Sequence, residues 1–268
     1  MKKITKMVAA LAIVGASFSS CQQEQELVTN GVPTEISSKL KKAGFDVSEG
    51  LFAYNGGYMV EYDIFLTEDQ INDLTPGVSV DGHAHEEHYR TFNLVTGVPR
   101  TLRIYMDPGF GTYMQNSFDQ ALSRYNALNL NLVFQRTTNQ ADSDIAILSF
   151  FENSNTLGFS AGFPTSSGNP ATPIRLNTRY YNDSNQRADA TTVIAHEIGH
   201  AIGFRHTDYM SRRFSCGVGG NEGSAGVGAV YIEGTPKRGE VGSWMLACSD
   251  GTDRPFTVGD VTALTTVY

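Results

Sequence analysis

The 268-residue sequence predicts an α+β fold. Three observations carry this reading. Strand-like segments at 101–106, 131–135, 144–150 and 173–177 are interleaved with helical patterns. Two of those patterns, over 116–128 and from 189 to about 201, are long enough to be helices that cover a sheet. The stretch 204–259 is irregular and Gly-rich, and a last helix starts near Asp260.

The elements follow in order. Residues 27–98 read as a small α/β unit ahead of the main body. Ser37–Ala43 is helix-like, and Gly50–Phe65 reads as a strand with Tyr58, Val60, Tyr62 and Ile64 on one face. Thr67-Glu68-Asp69-Gln70 resembles a helix start, and Pro76-Gly77 and Asp81-Gly82 are breakers. In the body, Phe118, Ala121, Leu122 and Tyr125 share one face of the helix over 116–128. Residues 157–170 read as a loop. Asp189 is placed to cap the next helix, and Thr257 and Asp260 have capping-box spacing before the last one.

Composition narrows the function. Hydrophobic residues make up 40% and charged residues 18%, which supports a packed core and excludes wholesale disorder. Lys and Arg number 20 against 28 Asp and Glu, a net charge of −8. Lys2, Lys3 and Lys6 sit in the first 20 residues, so the rest is more acidic still. Such a chain repels phosphates, and nucleic acid is excluded as a partner.

The N-terminus reads as a processing signal. Lys2, Lys3 and Lys6 precede an apolar run from Met7 to Phe18 that is too short to span a membrane. Phe18-Ser19-Ser20-Cys21 resembles the lipobox of bacterial lipoproteins, with Phe where Leu is usual. The resemblance implies a signal peptide over 1–20, lipid attachment at Cys21 and a polar tether from Gln22. It also implies an exported protein held at the outer membrane by lipid alone, or secreted. Of the three cysteines, Cys21 is then used by lipid. Cys216 and Cys248 remain to pair in an oxidising compartment, closing a loop that stabilises by roughly 3–4 kcal/mol in the chain-entropy model. The alternative is two free buried thiols.

The chemistry concentrates in His196-Glu197-Ile198-Gly199-His200-Ala201-Ile202-Gly203-Phe204-Arg205-His206. On a helix, His196 and His200 lie one turn apart and point the same way, as two ligands of one metal ion must. Glu197 lies beside them. Gly203 permits the sharp turn that ends the helix, which lets His206 swing back as third ligand. Three neutral nitrogens leave a fourth position open, the catalytic arrangement for zinc. The His-Glu-x-x-His element alone arises by chance in roughly one sequence of this length in a few hundred, and the fixed Gly and His lower that by another factor of several hundred.

These residues resemble the metzincin zinc-peptidase signature. Ser243-Trp244-Met245 looks like the Met turn of that group, so Met245 is expected as an apolar floor beneath the metal. The His196–His200 pentad resembles more closely the dual-action HEIGH metallo-peptidase family. So do Gly162–Pro170, Arg205-His206-Thr207-Asp208, Asn221-Glu222-Gly223 and Ser243–Cys248. The resemblance covers about residues 88–268. It implies a metzincin-like catalytic domain over 99–268, with a twisted mixed sheet, two helices and an irregular C-terminal lobe. It makes residues 21–98 a tether and candidate propeptide. One Zn2+ ion is the implied cofactor, held by His196, His200 and His206. Ala247 occupies the position where some metzincins carry a fifth, Tyr ligand, so none is expected.

The implied function is a secreted or lipid-anchored zinc endopeptidase. It would act as a monomer on protein or peptide substrates, through a zinc-bound water activated by Glu197. The strand before the zinc helix is expected to pair with extended substrate. Two other readings stand beside this one. A non-catalytic binding lipoprotein would hold a structural zinc through a fourth ligand such as Asp208; a zinc hydrolase would act on non-peptide amides. Asp208 reads equally as a group orienting a metal ligand or as a partner of Arg205 or Arg212. His83, His85 and His88 read as a solvated linker in preference to a second metal site or an inhibitory segment.

Overall fold

The computed structural model describes residues 31–74, 88–222, 227–236 and 239–268. Cys21, the signal segment, His83 and His85 lie outside the described residues. No helix among the described residues is long and apolar enough to cross a membrane.

The architecture is α+β and centres on one eight-stranded mixed sheet. The N-terminal unit contributes helix α1 (Thr34–Ala43), strands β1 (Phe52–Tyr54), β2 (Gly57–Val60) and β3 (Ile64–Thr67), and the short helix α2 (Glu68–Asn72). It has its own core, in which Ile36 and Leu40 of α1 meet Val60, Ile64, Leu66 and Ile71. The capping box at Thr67 and Gln70 forms as its sequence predicts.

The predicted single strand over 50–65 is instead three short ones. Asn55 and Gly56 both take left-handed dihedrals and close a two-residue hairpin between β1 and β2. Glu61 and Tyr62 are also left-handed, with φ of 55° and 75°, and this turn shifts the alternation. Tyr62, expected to share a face with Tyr58, Val60 and Ile64, is 46% exposed, while Asp63 is buried.

Beyond it, β4 (Tyr89–Arg90) pairs with β12 (Val230–Tyr231). Strand β5 (Arg100–Met106) leads through helix α3 (Thr112–Asn126) to β6 (Leu132–Thr137), with β7 (Ile145–Phe150) on its other side. Then come β8 (Gly158–Ser160), β9 (Ile174–Asn177), a small hairpin of β10 (Tyr181–Asn182) and β11 (Asn185–Gln186), and helix α4 (Ala190–Ala201). Helices α5 (Arg213–Cys216) and α6 (Val258–Val267) complete the chain. The sheet order is β1-β2-β3-β8-β9-β7-β5-β6.

Two expectations change here. The segment 157–170 is not all loop, because β8 lies within it and pairs with β9 in antiparallel register. Strand β9, expected to offer a free edge to substrate, is interior, with β7 on one side and β8 on the other.

The main core lies between the sheet and helices α3 and α4. Met114, Phe118, Ala121, Leu122 and Tyr125 form the buried stripe of α3. Helix α4 is buried along its whole length, as its low polarity outside the His-Glu motif dictates. Tyr125 ties the two helices by donating to the Ala195 carbonyl at 2.6 Å. Asp189 does not cap α4 with its side chain; its carboxylate is taken by Arg187 and Ser249. The terminal capping box at Thr257 and Asp260 does form. Cys216 and Cys248 are joined as a disulfide, with Cα atoms 5.2 Å apart.

Candidate metal centre

The site starts with the end of α4. Gly203, at φ 110°, closes a Schellman turn in which the Phe204 amide donates to Gly199 O and the Gly203 amide to His200 O, both at 2.9 Å. A Cβ at Gly203 would also lie 2.9 Å from Leu94 and 3.0 Å from Thr91, too close for any side chain. The turn carries the chain back so that His206 faces the two helical histidines. Ring centroids of His196, His200 and His206 lie 4.7, 4.8 and 5.3 Å apart.

Each ring is anchored through Nδ1. That of His196 meets the Trp244 carbonyl at 2.8 Å, and that of His200 the Phe204 carbonyl at 2.9 Å. That of His206 meets Glu222 Oε1 at 2.5 Å. A carbonyl only accepts, so the proton of His196 and of His200 resides on Nδ1 and their Nε2 lone pairs point inward. Burial lowers the pKa of His196, and lowers that of His200 further, which keeps both rings neutral. Burial opposes a charge on His206 as well, but the carboxylates of Glu222 and Asp63 outweigh it and raise its pKa well above the usual value.

The fourth group is Asp63, from the turn between β2 and β3. Its Oδ2 lies 2.9 Å from His206 Nε2 and 3.9 Å from His196 Nε2, and His200 Nε2 is 3.2 Å from His206 Nε2. Zinc arms of ~2.0–2.1 Å set tetrahedral edges of roughly 3.3 Å, so the donor spacings match one small divalent ion. These four residues form a buried group whose ligand atoms all lie within 4.8 Å of one another. Burial raises the Asp63 carboxyl, but the charge of His206 and hydrogen bonds from His196 and His206 prevail and hold it well below its ordinary range.

Glu197 is not among the converging donors. It lines a cleft of about 620 Å³ together with His196, Asp63, Tyr62, Gly158 and Val193. Its Oε2 is buried without a hydrogen-bond partner. Burial and the nearby Asp63 charge push its carboxyl well above the usual pKa. Glu197 Oε1 lies 3.5 Å from where a Cβ on Gly158 would sit, so β8 runs directly past it.

The floor is the turn at Ser243-Trp244-Met245. Met245 is buried, and its Sδ would lie 2.5 Å from a Cβ placed on Gly199, which explains why α4 carries glycine between its histidines. Asp260 holds the turn by accepting from Ser243 Oγ at 2.6 Å and from the Trp244 amide at 3.1 Å. His88 reaches the same carboxylate at 2.7 Å. His88 is thus a buried clamp and not part of a solvated linker.

Two carboxylates had other expected places. Asp208 is neither a ligand nor an arginine partner: it accepts from the Ala247 amide and from Ser215, tying the segment after His206 to the turn and the disulfide. Glu222 does the orienting work instead, as it accepts from Arg212 at 2.8 Å while holding His206. Burial would raise its carboxyl, but His206, Arg212 and Arg205 bring it down to about 2. Arg205 also lies 3.5 Å from Glu61, whose carboxyl burial and the Glu222 charge push up to about 8. Asp63, Glu61 and the role of Glu222 were absent from the sequence reading. The Asn55-Gly56 turn signal was the available clue that the strand breaks before Asp63.

Two solved structures of myroilysin are similar at 13% identity. One has a TM-score of 0.45, covering 67% of this chain and 98% of that chain; the other has 0.42, covering 73% and 99%. No curated protein matches. The family model described as dual-action HEIGH metallo-peptidase matches residues 58–268, which include all four metal-facing side chains and Glu197. The chain belongs to the dual-action HEIGH metallo-peptidase family, and it is a metallopeptidase.

Proposed function

We propose that this metallopeptidase is a zinc-dependent endopeptidase that is exported and anchored through Cys21. The observation that carries the zinc assignment is the anchoring of all three Nδ1 atoms by protein acceptors, which turns three Nε2 atoms toward one point. The nitrogen-rich donor set and its spacing suit zinc. When bound, zinc supplies Lewis acidity: it makes water more acidic and polarises a carbonyl oxygen.

The chain's own groups do the rest. Glu197 takes the proton of the attacking water and passes it to the departing amine. Its buried Oε2, which has no hydrogen-bond partner, is poised for that exchange. The cleft beside it receives the peptide. Export and lipid attachment rest on Lys2, Lys3, Lys6, the apolar run and Cys21.

A structural zinc is the second reading, favoured by Asp63 as a fourth donor. Glu197 counts against it, because a closed structural site gains nothing from a buried unpartnered carboxylate at its side. The test is digestion of a peptide library by the full mature chain. Internal cleavage that stops with a zinc chelator and returns with added zinc is expected. Zinc bound at one per chain without cleavage, under conditions that release any fourth ligand, supports the structural reading instead.

A further inference from the structure

We propose that His88 is a positioning residue for the metal: through Asp260 and Trp244 it sets the ring of His196, and through Ser243 it steadies the segment that carries His206. This rests on the zinc reading above. The path is a continuous run of hydrogen bonds. His88 Nε2 lies 2.7 Å from Asp260 Oδ1. Ser243 Oγ donates to the same oxygen at 2.6 Å, and the amides of Trp244 and Thr257 donate to Oδ2 at 3.1 and 2.9 Å. A carboxylate only accepts, so His88 carries its proton on Nε2 and donates. The Trp244 carbonyl, across one Cα from the amide that Asp260 holds, is the acceptor of His196 Nδ1 at 2.8 Å. Ser243 Oγ has its proton committed to Asp260 and accepts from Thr207 Oγ1 at 2.6 Å. The Thr207 amide donates to the Met245 carbonyl at 2.8 Å, and Thr207 directly follows the ligand His206. One carboxylate thus stands behind two of the three histidines.

His88 is what ties that carboxylate to the rest of the chain. Ser243, Trp244 and Thr257 come from within 17 positions of Asp260, whereas His88 comes from 172 positions away. Its other nitrogen, Nδ1, is buried and has no hydrogen-bond partner. A buried acceptor left unmade costs stability, and an apolar ring of similar shape would avoid that cost. The bond from Nε2 is therefore what a histidine adds at this position. The ring is also held in place for it. It stacks on Trp244, with centroids 6.4 Å apart and planes at 29°, and a Cβ at Gly259 would come within 2.9 Å of its Cε1. Glu240 Oε2 is 3.9 Å from His88 Nε2, too far to compete with Asp260, and it accepts from Thr257 Oγ1 at 2.6 Å.

The test compares the full mature chain with His88→Phe, His88→Leu and His88→Gln. Phe and Leu remove the donor and differ in shape, so one of them that folds is enough; Gln keeps an N–H for Asp260. Thermal melting of the metal-free proteins records any general loss of stability. Zinc affinity is read by competition with a chromogenic chelator, and ligand geometry by the visible spectrum of each protein fully loaded with cobalt(II). The Phe and Leu variants are expected to bind zinc about tenfold more weakly, the low end for groups that support ligating histidines, and to show a shifted cobalt band. The Gln variant is expected to recover most of both. A Phe or Leu variant with a lowered melting temperature but the parent's zinc affinity and cobalt spectrum would overturn the proposal, since His88 would then serve the fold alone. A Gln variant as impaired as Phe would overturn the hydrogen bond to Asp260 as the means. Failure of the zinc reading would show in the parent chain, as no zinc bound, whereas failure of this proposal shows only in the variants.

Discussion

Exchanging Glu197 for Gln lowers peptide turnover by about 10²–10⁴-fold, the usual scale for a general base, and leaves the zinc content unchanged. Glu197 is one residue from His196 on α4, yet it lies outside the group of converging donors. Gln has the same shape and still fills the wall beside Gly158. What is lost is the capacity to take and return a proton. The fold does not suffer, because the substitution removes a carboxylate that burial penalises and that lacks a partner on Oε2. Metal analysis and kcat on the same preparation check the prediction. Full turnover in the variant would remove Glu197 from the role of base.

Changing Glu222 acts through the metal instead. Glu222→Gln removes the charge that orients His206 and is expected to weaken zinc binding by about 10–100-fold, the range for partners of ligating histidines. Glu222→Leu goes further. It leaves buried Arg212 without this carboxylate and strips His206 of its Nδ1 acceptor. Breaking a buried charge network from one side costs about 3–5 kcal/mol, which thermal melting of the metal-free protein reads directly. Competition with a chromogenic chelator reads the affinity. An unchanged affinity in the Gln variant would show that His206 is held by its backbone alone.

The contrast between these two residues says what was legible in the sequence. His196, Glu197, His200 and His206 lie within eleven residues, and the period of one helix plus one glycine turn is enough to bring them together. Met245 and the disulfide cysteines were legible by resemblance and by counting. Asp63 was not, because it lies 133 positions before His196 and its placement depends on two left-handed residues that broke a seemingly continuous strand. Alternation read through that turn put Tyr62 on one face with Val60 and Ile64, yet Tyr62 is exposed while those two are buried. Strand β8 was missed because three residues flanked by loop-like composition carry no periodic signal. Asp208 and Glu222 show the limit of proximity in sequence. The acid two residues after His206 serves the Met turn, and the one sixteen residues on holds the ring.

Asp63 also joins two parts of the sequence that read as separate. The N-terminal unit has its own core, yet its turn sits in the donor group of the main body and its β3 continues the sheet. Residues 88–91 are fastened to the body as well, through β12, the Gly203 carbonyl and Asp260.

His196, His200 and His206 are expected to bind a single zinc ion through their Nε2 atoms. A crystal of the zinc-loaded chain, with anomalous maps recorded on either side of the zinc absorption edge, tests it most directly. One strong peak is expected at ~2.0–2.1 Å from all three Nε2 atoms. A peak that leaves out His206, or no peak among the three rings in fully loaded protein, would contradict it.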